Sequence, residues 1–412
     1  MTCIAVIATL DSKAAAAAFT CAVLRELGVT PWLMDLSLKP HGRPGADIGG
    51  DALAKLSGVN WSDIGAMDRP SAADTMIKGG ARALLDKFEA GEISAVIGVG
   101  GANGCTVFCA MMRALPPLFP KLMVTPVAAT AAVQWYVAES DIAMFPTISD
   151  IVMNRFVKSV IENACSAAKG MADAYERRRG RQDDASPLVG VSTFGNLQKC
   201  VDRITDRLEE AGFEVIHFHA SGPGGKALEN LAAAKELSGV IDLTTSEMID
   251  LVNDGVYKPG ENRLTSAGAT GLPQVIVPGA IDLTNWWVGE CPQRFHDREF
   301  YQYNTEILLM RTNDTEMAAL GEMFAERLND AKGPVTVMIP NKGFSQFIDR
   351  DTSNIAGEII GSWQKPETDR RFTDTIKAKL TSGAVRELDL HINDHAFADA
   401  CVDEFLELMK AR

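Results

Sequence analysis

The hydrophobic and polar positions of this chain form an alternating series of short apolar runs and longer amphipathic segments. In the first half, the apolar runs of strand length are Cys3–Leu10, Thr30–Leu36, Ser94–Gly100, Leu122–Ala128 and Ile142–Phe145. The segments with helical periodicity are Lys13–Leu27, Ala72–Ala90, Asn103–Leu115 and Ser149–Arg177. Strands that alternate with helices of this length predict a parallel sheet covered by helices on both faces. Residues 39–70, rich in Gly, Pro and Asp, are expected to form an excursion over the sheet edge.

The same pattern starts again after a polar stretch at Arg178–Pro187, which predicts a domain boundary there. The predicted strands of the second half are Leu188–Ser192, Val215–His219, Gly239–Leu243, Gln274–Val277, Val335–Ile339 and Val385–Leu390. The predicted helices are Leu197–Ala211, Lys226–Glu236, Thr315–Asn329 and a closing helix, Phe397–Lys410, that is expected to pack on either domain. We therefore expect an α/β protein with two Rossmann-like domains, residues 1–180 and 181–412, and a cleft between them. Each domain is expected to hold a mostly parallel sheet flanked by helices.

The composition is typical of a soluble globular enzyme and argues against two classes of partner. Of 412 residues, 46% are hydrophobic and 23% are charged, and the net charge of −14 disfavours a nucleic-acid-binding surface. No apolar run reaches the roughly 18 residues of a membrane helix, and the N-terminus lacks a basic leader, so neither a membrane span nor a signal peptide is expected. The eight cysteines are scattered without a C-x-x-C pair, which predicts reduced thiols in a cytoplasmic protein rather than a zinc site.

Polar or glycine-rich clusters follow six of the predicted strands in the second half. Because ligands bind outside the carboxyl ends of strands in an open parallel sheet, these clusters predict a small-molecule site. The side chains expected to supply acid–base or metal chemistry are Asp242, Glu247, Asp282 and His391. Further expected ligand contacts in these clusters are His219, Thr244, Thr245, Lys342, Ser345 and Asn393. For each residue taken singly, helix capping is the alternative explanation.

Two segments of the first half are candidate ligand contacts. Gly100, Gly101 and Asn103 lie where a strand runs into a helix, and amides exposed at a helix start form an anion site. The steric requirement of a tight turn is the alternative explanation for these glycines. Asp11 and Lys13 follow the first strand. We expect Asp11 to cap the next helix, whereas Lys13 opposes the dipole of that helix, which favours a ligand role.

A second glycine-rich loop and one arginine complete the expected anion contacts. The loop contains Ser221, Gly224, Gly225 and Lys226. It lacks the glycine and the hydroxyl at the positions that a P-loop requires, so it predicts a backbone nest for an anion rather than a P-loop ATPase site. Arg311 is expected to hold a carboxylate through two hydrogen bonds.

The motifs of the second half, taken together, are specific. They are His219-Ala220-Ser221-Gly222-Pro223-Gly224-Gly225-Lys226-Ala227, Asp242-Leu243-Thr244-Thr245-Ser246-Glu247, Pro278-Gly279-Ala280-Ile281-Asp282, Leu309-Met310-Arg311-Thr312, Lys342-Gly343 with Ser345, and His391-Ile392-Asn393-Asp394. With them the chain resembles the family built around the ATP-binding domain of the tomato tobamovirus-resistance protein. The resemblance spans nearly the whole chain and implies two Rossmann-like subdomains, a dimer and ATP binding. The first half departs from the family pattern at Asp11-Ser12-Lys13 and at the turn Gly100–Thr106.

Two functions of different classes follow from these observations. The first is an enzyme of small-molecule metabolism, such as a hydrolase or lyase, that acts on a carboxylate or phosphate metabolite in the cleft between the domains. The second is a non-catalytic regulatory protein that binds ATP or another nucleotide. Both predict a small-molecule partner, neither nucleic acid nor membrane as a partner, and a homodimer or larger homo-oligomer. ATP and a divalent metal are the cofactors left open.

Overall fold

The computed structural model of the chain describes residues 2–38, 45–179 and 186–410. The chain divides into two compact units, Met1–Asp183 and Asp184–Arg412, which we call the first unit and the second unit. The domain boundary expected at residues 180–181 lies outside the described residues.

The first unit is an α/β fold around a parallel sheet. Its strands are β1 (Cys3–Ala8), β2 (Thr30–Asp35), β3 (Ala95–Val99), β4 (Lys121–Thr125) and β5 (Ala143–Pro146). Its described helices are α1 (Leu10–Glu26), α2 (Gly50–Leu56), α3 (Trp61–Ile64), α4 (Arg69–Glu89), α5 (Ala102–Met112), α6 (Val133–Val137) and α7 (Arg155–Arg179). The strands pair in the order β2-β1-β3-β4-β5, and every pair is parallel.

Helices cover both faces of this sheet because successive strand residues point to opposite sides. On β1, Ile4 and Val6 pack with residues of α1 and α7, whereas Ala5 and Ile7 pack with residues of α4 and α5. From β1 the chain passes to β2 on one side, and the later strands β3, β4 and β5 lie on the other side. The order of strands therefore reverses between β1 and β3, and folds of this kind bind ligands in the crevice at that reversal.

The second unit combines a larger parallel sheet with a small antiparallel one. Its strands are β6 (Leu188–Thr193), β7 (Glu214–His219), β8 (Gly239–Thr244), β9 (Gln274–Gly279), β10 (Leu283–Trp287), β11 (Phe300–Gln302), β12 (Ile307–Arg311), β13 (Val335–Pro340), β14 (Asp351–Ser353), β15 (Ile359–Ser362) and β16 (Ala384–Leu388). Its described helices are α8 (Gln198–Glu210), α9 (Pro223–Ala233), α10 (Glu247–Asn253), α11 (Ser266–Thr270), α12 (Asp314–Asn329), α13 (Pro366–Lys379) and α14 (His395–Lys410). The parallel sheet has the order β16-β13-β9-β8-β6-β7, and the antiparallel sheet has the order β10-β12-β11-β14-β15.

The parallel sheet of the second unit also has a hydrophobic core on each face. Residues of α8 and α14 pack with Val275 and Val277 of β9 on one face, and residues of α10, α12 and α13 pack with Ile276 on the other. The closing helix α14 therefore packs on the second unit, where Phe397 and Phe405 are fully buried. The two helix-covered parallel sheets confirm the expected α/β class with Rossmann-like sheets.

Two features differ from the expectation. The antiparallel sheet, with its own core around Leu283, Leu309 and Trp363, was not predicted. Its strands span only three to five residues, too short to show a clear alternation. Residues 45–70 are more regular than a bare excursion, since α2 and α3 lie there and Ile48 forms a bridge with Met34. Residues 39–44 lie outside the described part of the chain.

Across the described residues, no helix combines the length and the apolar character that crossing a bilayer requires.

Candidate functional site

A cavity of about 970 Å³ in the first unit lies at the carboxyl ends of β1 and β3, where the strand order reverses. We call it the first-unit pocket. Helices α1, α4 and α5 all begin at this pocket. The lining residues that belong to their first turns are Asp11, Ser12 and Lys13 of α1, Arg69, Pro70 and Ala72 of α4, and Ala102, Asn103 and Gly104 of α5.

These helix starts make the first-unit pocket electropositive. The first amides of a helix have no intrahelical acceptor, and the helix dipole places a partial positive charge beside them. On α4 this charge is partly offset by Asp68, whose carboxylate accepts the Ser71 amide at 2.8 Å. At α1, the Asp35 carboxylate accepts the Leu10 amide and Ser37 Oγ accepts the Asp11 amide, whereas the N-cap of α5 is Gly101 and forms no side-chain hydrogen bond. Lys13 and Arg69 add two cations to the lining, against the single carboxylate of Asp11.

Lys13 is positioned by a distortion at the start of α1. Its backbone leaves the helical conformation, with φ −124° and ψ 21°. Its Nζ atom donates to the carbonyl oxygen of Ile151 at 3.2 Å, and the residue lines the first-unit pocket. The Asp35 carboxylate accepts the amide of Leu10, the first residue of α1, at 2.9 Å and the Ser37 hydroxyl at 2.6 Å.

The expectation that Asp11 caps this helix is wrong. Helix α1 begins at Leu10, and its N-cap residue is Thr9. Asp11 therefore lies inside the first turn, where its backbone amide donates to Ser37 Oγ at 2.9 Å and its side chain is exposed. This leaves the Asp11 carboxylate at the pocket.

The two glycines before α5 have different roles. A Cβ atom at Gly100 would lie 2.9 Å from the Phe108 ring, so glycine is required there for packing. A Cβ atom at Gly101 would meet nothing within 4 Å, so packing does not explain that glycine. Gly101 is the N-cap of α5, and Asn103 is exposed in its first turn. The steric explanation therefore holds for Gly100 alone.

Apolar side chains form the remaining wall of the first-unit pocket. Leu36, Ile64, Met76 and Phe108 all line it. Each of the four is at most 5% exposed. A cavity that combines apolar walls with a few polar groups is typical of small-molecule sites.

In the second unit, two of the expected catalytic carboxylates bind a buried arginine. Arg263 is fully buried and pairs with Asp242 through both terminal nitrogens, with the Nη2–Oδ1 distance at 2.7 Å. Its Nε atom donates to Glu247 at 2.7 Å, and its Nη1 atom lies 3.4 Å from Glu229. Each of the three carboxylate side chains is at most 5% exposed. We call these four residues the Arg263 cluster.

The glycine-rich loop expected to hold a ligand anion holds the Glu247 carboxylate instead. Glu247 Oε1 accepts the amides of Gly222 at 2.6 Å and Gly225 at 3.2 Å. A Cβ atom at Gly225 would lie 1.9 Å from Glu247 Oε2, so glycine is required there for this approach. The nest is therefore filled from within the chain. Burial raises the pKa of Glu247, while the charge of Arg263 lowers it.

The neighbouring expected contacts are also used internally. Thr244 donates its backbone amide to Ser192 Oγ at 2.8 Å, and Thr245 donates its hydroxyl to the Val277 carbonyl at 2.9 Å. Ser221 Oγ lies 3.4 Å from the His219 carbonyl. A Cβ atom at Gly224 would lie 1.9 Å from the same carbonyl oxygen, and Lys226 packs its methylene groups near Gly260. His219 itself is exposed and lies beside a smaller pocket.

Asp282, Ser345 and His391 form a second internal group. Asp282 Oδ2 accepts the Ser345 hydroxyl at 2.6 Å and Trp363 Nε1 at 2.7 Å. His391 Nδ1 accepts the Asn393 amide at 3.1 Å, so its Nε2 atom carries the proton that it donates to the Ser345 carbonyl at 2.9 Å. Both ring nitrogens of His391 are therefore occupied by backbone groups, which does not favour a role as catalytic base.

The cations expected to clamp an anion in the second unit have partners of their own. Arg311 lies on β12, is 3% exposed, and donates to the carbonyl of Trp363 at 2.9 Å and to the carboxylate of Asp369. Arg311 therefore binds the carboxylate of Asp369 within the chain, in place of the ligand carboxylate that was expected. Lys342 is exposed and pairs with Asp389 at 3.1 Å.

The structure thus sorts the expected site residues into separate groups. Asp11, Lys13, Gly101 and Asn103 meet at the first-unit pocket, whereas the expected catalytic residues of the second unit belong to internal networks. Arg69, Glu229 and Arg263 were not anticipated from the sequence. The sequence analysis assigned Asp242 and Glu247 to acid–base or metal chemistry, and nothing in the pattern pointed to Arg263 as their partner. Within residues 2–38, 45–179 and 186–410, no group of three or more His, Cys, Asp or Glu residues could hold a metal ion.

Solved structures give only a weak likeness. The UDP-N-acetylglucosamine 2-epimerase of Rickettsia bellii aligns over 100% of this chain and 96% of its own, with 11% sequence identity and a TM-score of 0.23. A TM-score this low supports no conclusion about function.

Sequence relatives are much closer. The "Uncharacterised protein family (UPF0261)" matches through its N-terminal domain at residues 2–177 and its C-terminal domain at residues 186–409. A UPF0261 protein of Mesorhizobium japonicum is 35% identical over 414 residues, which cover 98% of each chain. The ToMV resistance protein Tm-1(GCR237) of Solanum lycopersicum is 32% identical over 324 residues, which are 77% of this chain and 42% of the tomato protein. The resemblance drawn from the sequence motifs is confirmed, and the chain belongs to the UPF0261 family.

Proposed function

We propose that this chain binds a small anionic metabolite, bearing a carboxylate or phosphate group, in the first-unit pocket. The observation that carries the proposal is the convergence of α1, α4 and α5, which all begin at this pocket. Helix starts attract anions through their dipoles, and at α5 the first amides have no side-chain cap to accept them. Lys13 and Arg69 supply full positive charges beside them.

The rest of the pocket suggests how large the ligand is. A volume of about 970 Å³ lies near the upper end of the range for small-molecule sites, about 300 to 1,000 Å³. The apolar walls, which include Leu36, Met76 and Phe108, suit an uncharged body attached to the anionic group. A nucleotide meets both requirements, and it is also the ligand that the family resemblance implies.

The structure favours the first unit over the second as the place of any reaction. In the second unit, Asp242 and Glu247 bind Arg263, and both ring nitrogens of His391 form hydrogen bonds with backbone groups. In the first unit, Asp11 has an exposed carboxylate at the pocket and is free to act as an acid or base on a bound molecule. We propose Asp11 as the acid–base residue if the chain is an enzyme.

Thermal unfolding with and without anions tests the binding proposal. Pyrophosphate and ATP are added to the wild-type protein, to a Lys13→Met/Arg69→Met variant and to a Lys78→Met control. Lys78 lies exposed on α4 and pairs with Asp74, away from the pocket lining. Ligand at a hundredfold excess over its dissociation constant stabilises a fold by about 2.7 kcal/mol. We expect that stabilisation in the wild type and the control and its loss in the double variant.

The same titrations, combined with an assay for turnover of the bound ligand, separate the two functional classes. Stabilisation by ATP beyond that by pyrophosphate, without turnover, supports the non-catalytic nucleotide-binding protein. Turnover that is lost in an Asp11→Asn variant with unchanged ligand binding supports the enzyme. Equal stabilisation of the wild type and the double variant, or none by either anion, contradicts the proposal.

A further inference from the structure

The second unit holds a smaller pocket of about 220 Å³ that is distinct in chemistry from the first-unit pocket. It lies at the carboxyl ends of β6 and β7, beside strands of the antiparallel sheet. We call it the second-unit pocket. The lining residues that carry the argument are Phe194, Asn196, His219, Tyr257, Asn285 and Tyr303.

The lining of the second-unit pocket is uncharged in character. Among the described residues that line it, none is Lys, Arg, Asp or Glu. An anionic or cationic ligand would therefore lose its hydration without gaining a counter-charge, which is costly. The pocket suits a neutral ligand.

Aromatic rings form much of its wall. Phe194 stacks on the His219 ring, with centroids 5.3 Å apart and an interplanar angle of 28°. Tyr257 meets Phe194 edge to face at 6.2 Å. Tyr303 is 47% exposed and meets Phe347 edge to face at 5.9 Å. Such a wall favours a flat ring, which stacks on or packs edge to face with aromatic side chains.

Asn196 has hydrogen-bonding capacity that the protein itself does not use. It is 4% exposed, yet neither its Nδ2 nor its Oδ1 atom has a hydrogen-bond partner among the described residues. A buried polar group left in this state costs about 1 to 3 kcal/mol. The backbone of Asn196 is meanwhile held in place, since its carbonyl accepts Asn393 Nδ2 at 2.9 Å. Asn196 lines the second-unit pocket, so a rotation of its buried side chain toward the cavity would offer an open donor and an open acceptor to a ligand.

Asn285 adds a second acceptor whose direction is set by its neighbour. Its backbone amide and its Nδ2 atom donate to the two carboxylate oxygens of Asp250, at 2.8 Å and 3.1 Å. Because the carboxylate requires donors, the Asn285 amide group is oriented with its nitrogen toward Asp250. Its Oδ1 atom is left without a partner among the described residues, and Asn285 is only 1% exposed.

We propose that the second-unit pocket binds a neutral, planar heteroaromatic molecule that carries a carboxamide or an equivalent donor–acceptor edge. The ring packs among Phe194, Tyr257 and Tyr303, and the amide edge pairs with Asn196 and donates to Asn285 Oδ1. The volume admits a single ring with a small substituent. This site lies within the second unit and goes beyond the anion binding proposed for the first-unit pocket.

Nicotinamide is the probe that tests this proposal, measured by ligand-observed NMR on the full chain. Benzoate has a similar shape with a charge instead of the amide, and toluene has the ring alone. We expect saturable binding of nicotinamide and much weaker binding of benzoate and toluene. Failure of nicotinamide to bind, or equal binding of benzoate, overturns the proposal.

Variants locate the binding and guard against a folding defect. In Asn196→Leu, the unpartnered amide is replaced by an apolar group of similar size, so the unliganded fold keeps or gains stability. We expect the affinity of this variant for nicotinamide to fall by about tenfold or more, because one to two hydrogen bonds to the ligand are lost. The control is Asn230→Leu, an exposed asparagine on α9 outside the lining, which keeps wild-type affinity.

Tyr303→Ala provides an independent check because Tyr303 is partly exposed and its removal leaves the core intact. We expect it to weaken nicotinamide binding through lost ring contact. Wild-type affinity in both Asn196→Leu and Tyr303→Ala overturns the proposal, whether or not anions bind at the first-unit pocket. Anion binding that persists in both variants shows that the two sites are separate.

Discussion

Replacing Arg263 with methionine tests whether the Arg263 cluster supports the fold. The substitution removes the cation that contacts Asp242, Glu247 and Glu229, which are each at most 5% exposed. Removing one partner of a buried ion pair costs about 3 to 5 kcal/mol, because the remaining charge is left uncompensated. Since three carboxylates lose their partner here, we expect a loss of at least about 3 to 5 kcal/mol in the free energy of unfolding.

The assay is urea unfolding followed by circular dichroism and tryptophan fluorescence. The matched control is Arg203→Met, which breaks a partly exposed pair with Asp399. Pairs of that kind contribute about 0 to 1 kcal/mol, so the control stays near the wild type. A wild-type unfolding free energy for Arg263→Met at neutral pH would show that the cluster does not support the fold.

Two further predictions concern the same region of the second unit. Gly225→Ala places a Cβ atom 1.9 Å from Glu247 Oε2, so we expect the free energy of unfolding in urea to fall by about 1 to 3 kcal/mol. In the control Gly195→Ala, the new Cβ atom meets nothing within 4 Å, and stability changes by less than about 0.5 kcal/mol. Equal effects of the two substitutions would contradict the close approach. Burial raises the pKa of Asp250 from 3.8 to about 7, so this group stabilises the fold below its unfolded pKa and loses that contribution as the pH rises through 7. We expect its contribution to the unfolding free energy to fall by on the order of 2 kcal/mol between pH 5 and pH 8, and Asp250→Asn to remove that dependence; an unchanged pH profile in the variant would contradict the assignment.

The fold was largely predictable because its main elements have strong periodicity. Parallel strands buried on both faces, such as β3 and β8, appear in the sequence as continuous apolar runs. The antiparallel sheet was missed because β11 and β14 span three residues each. Their pairing joins segments far apart in the chain, as when Phe300 meets Ser353. Local pattern carries no information about such contacts.

The candidate site was only partly anticipated from the sequence, and the ligand role of its residues stays a prediction. Strand ends and glycine turns drew attention to Lys13, Gly101 and Asn103, which line the first-unit pocket, since backbone geometry depends on local residue type. The sequence did not predict what binds to the loop at Gly222–Gly225. The Glu247 carboxylate accepts the amides of this loop only because the fold brings the two segments together. Arg263 lies 16 residues beyond Glu247 in a loop, and no local signal links them.

The central claim, anion binding at the converging helix starts of the first-unit pocket, is tested most directly by backbone NMR. Uniformly ¹⁵N-labelled protein is titrated with pyrophosphate while the amide shifts of Ala102, Asn103 and Gly104 are followed. We predict saturable shifts of these amides, together with those of the first turn of α1, and their loss in Lys13→Met/Arg69→Met. Unchanged amides at the start of α5, with pyrophosphate present at millimolar concentration, would contradict the account.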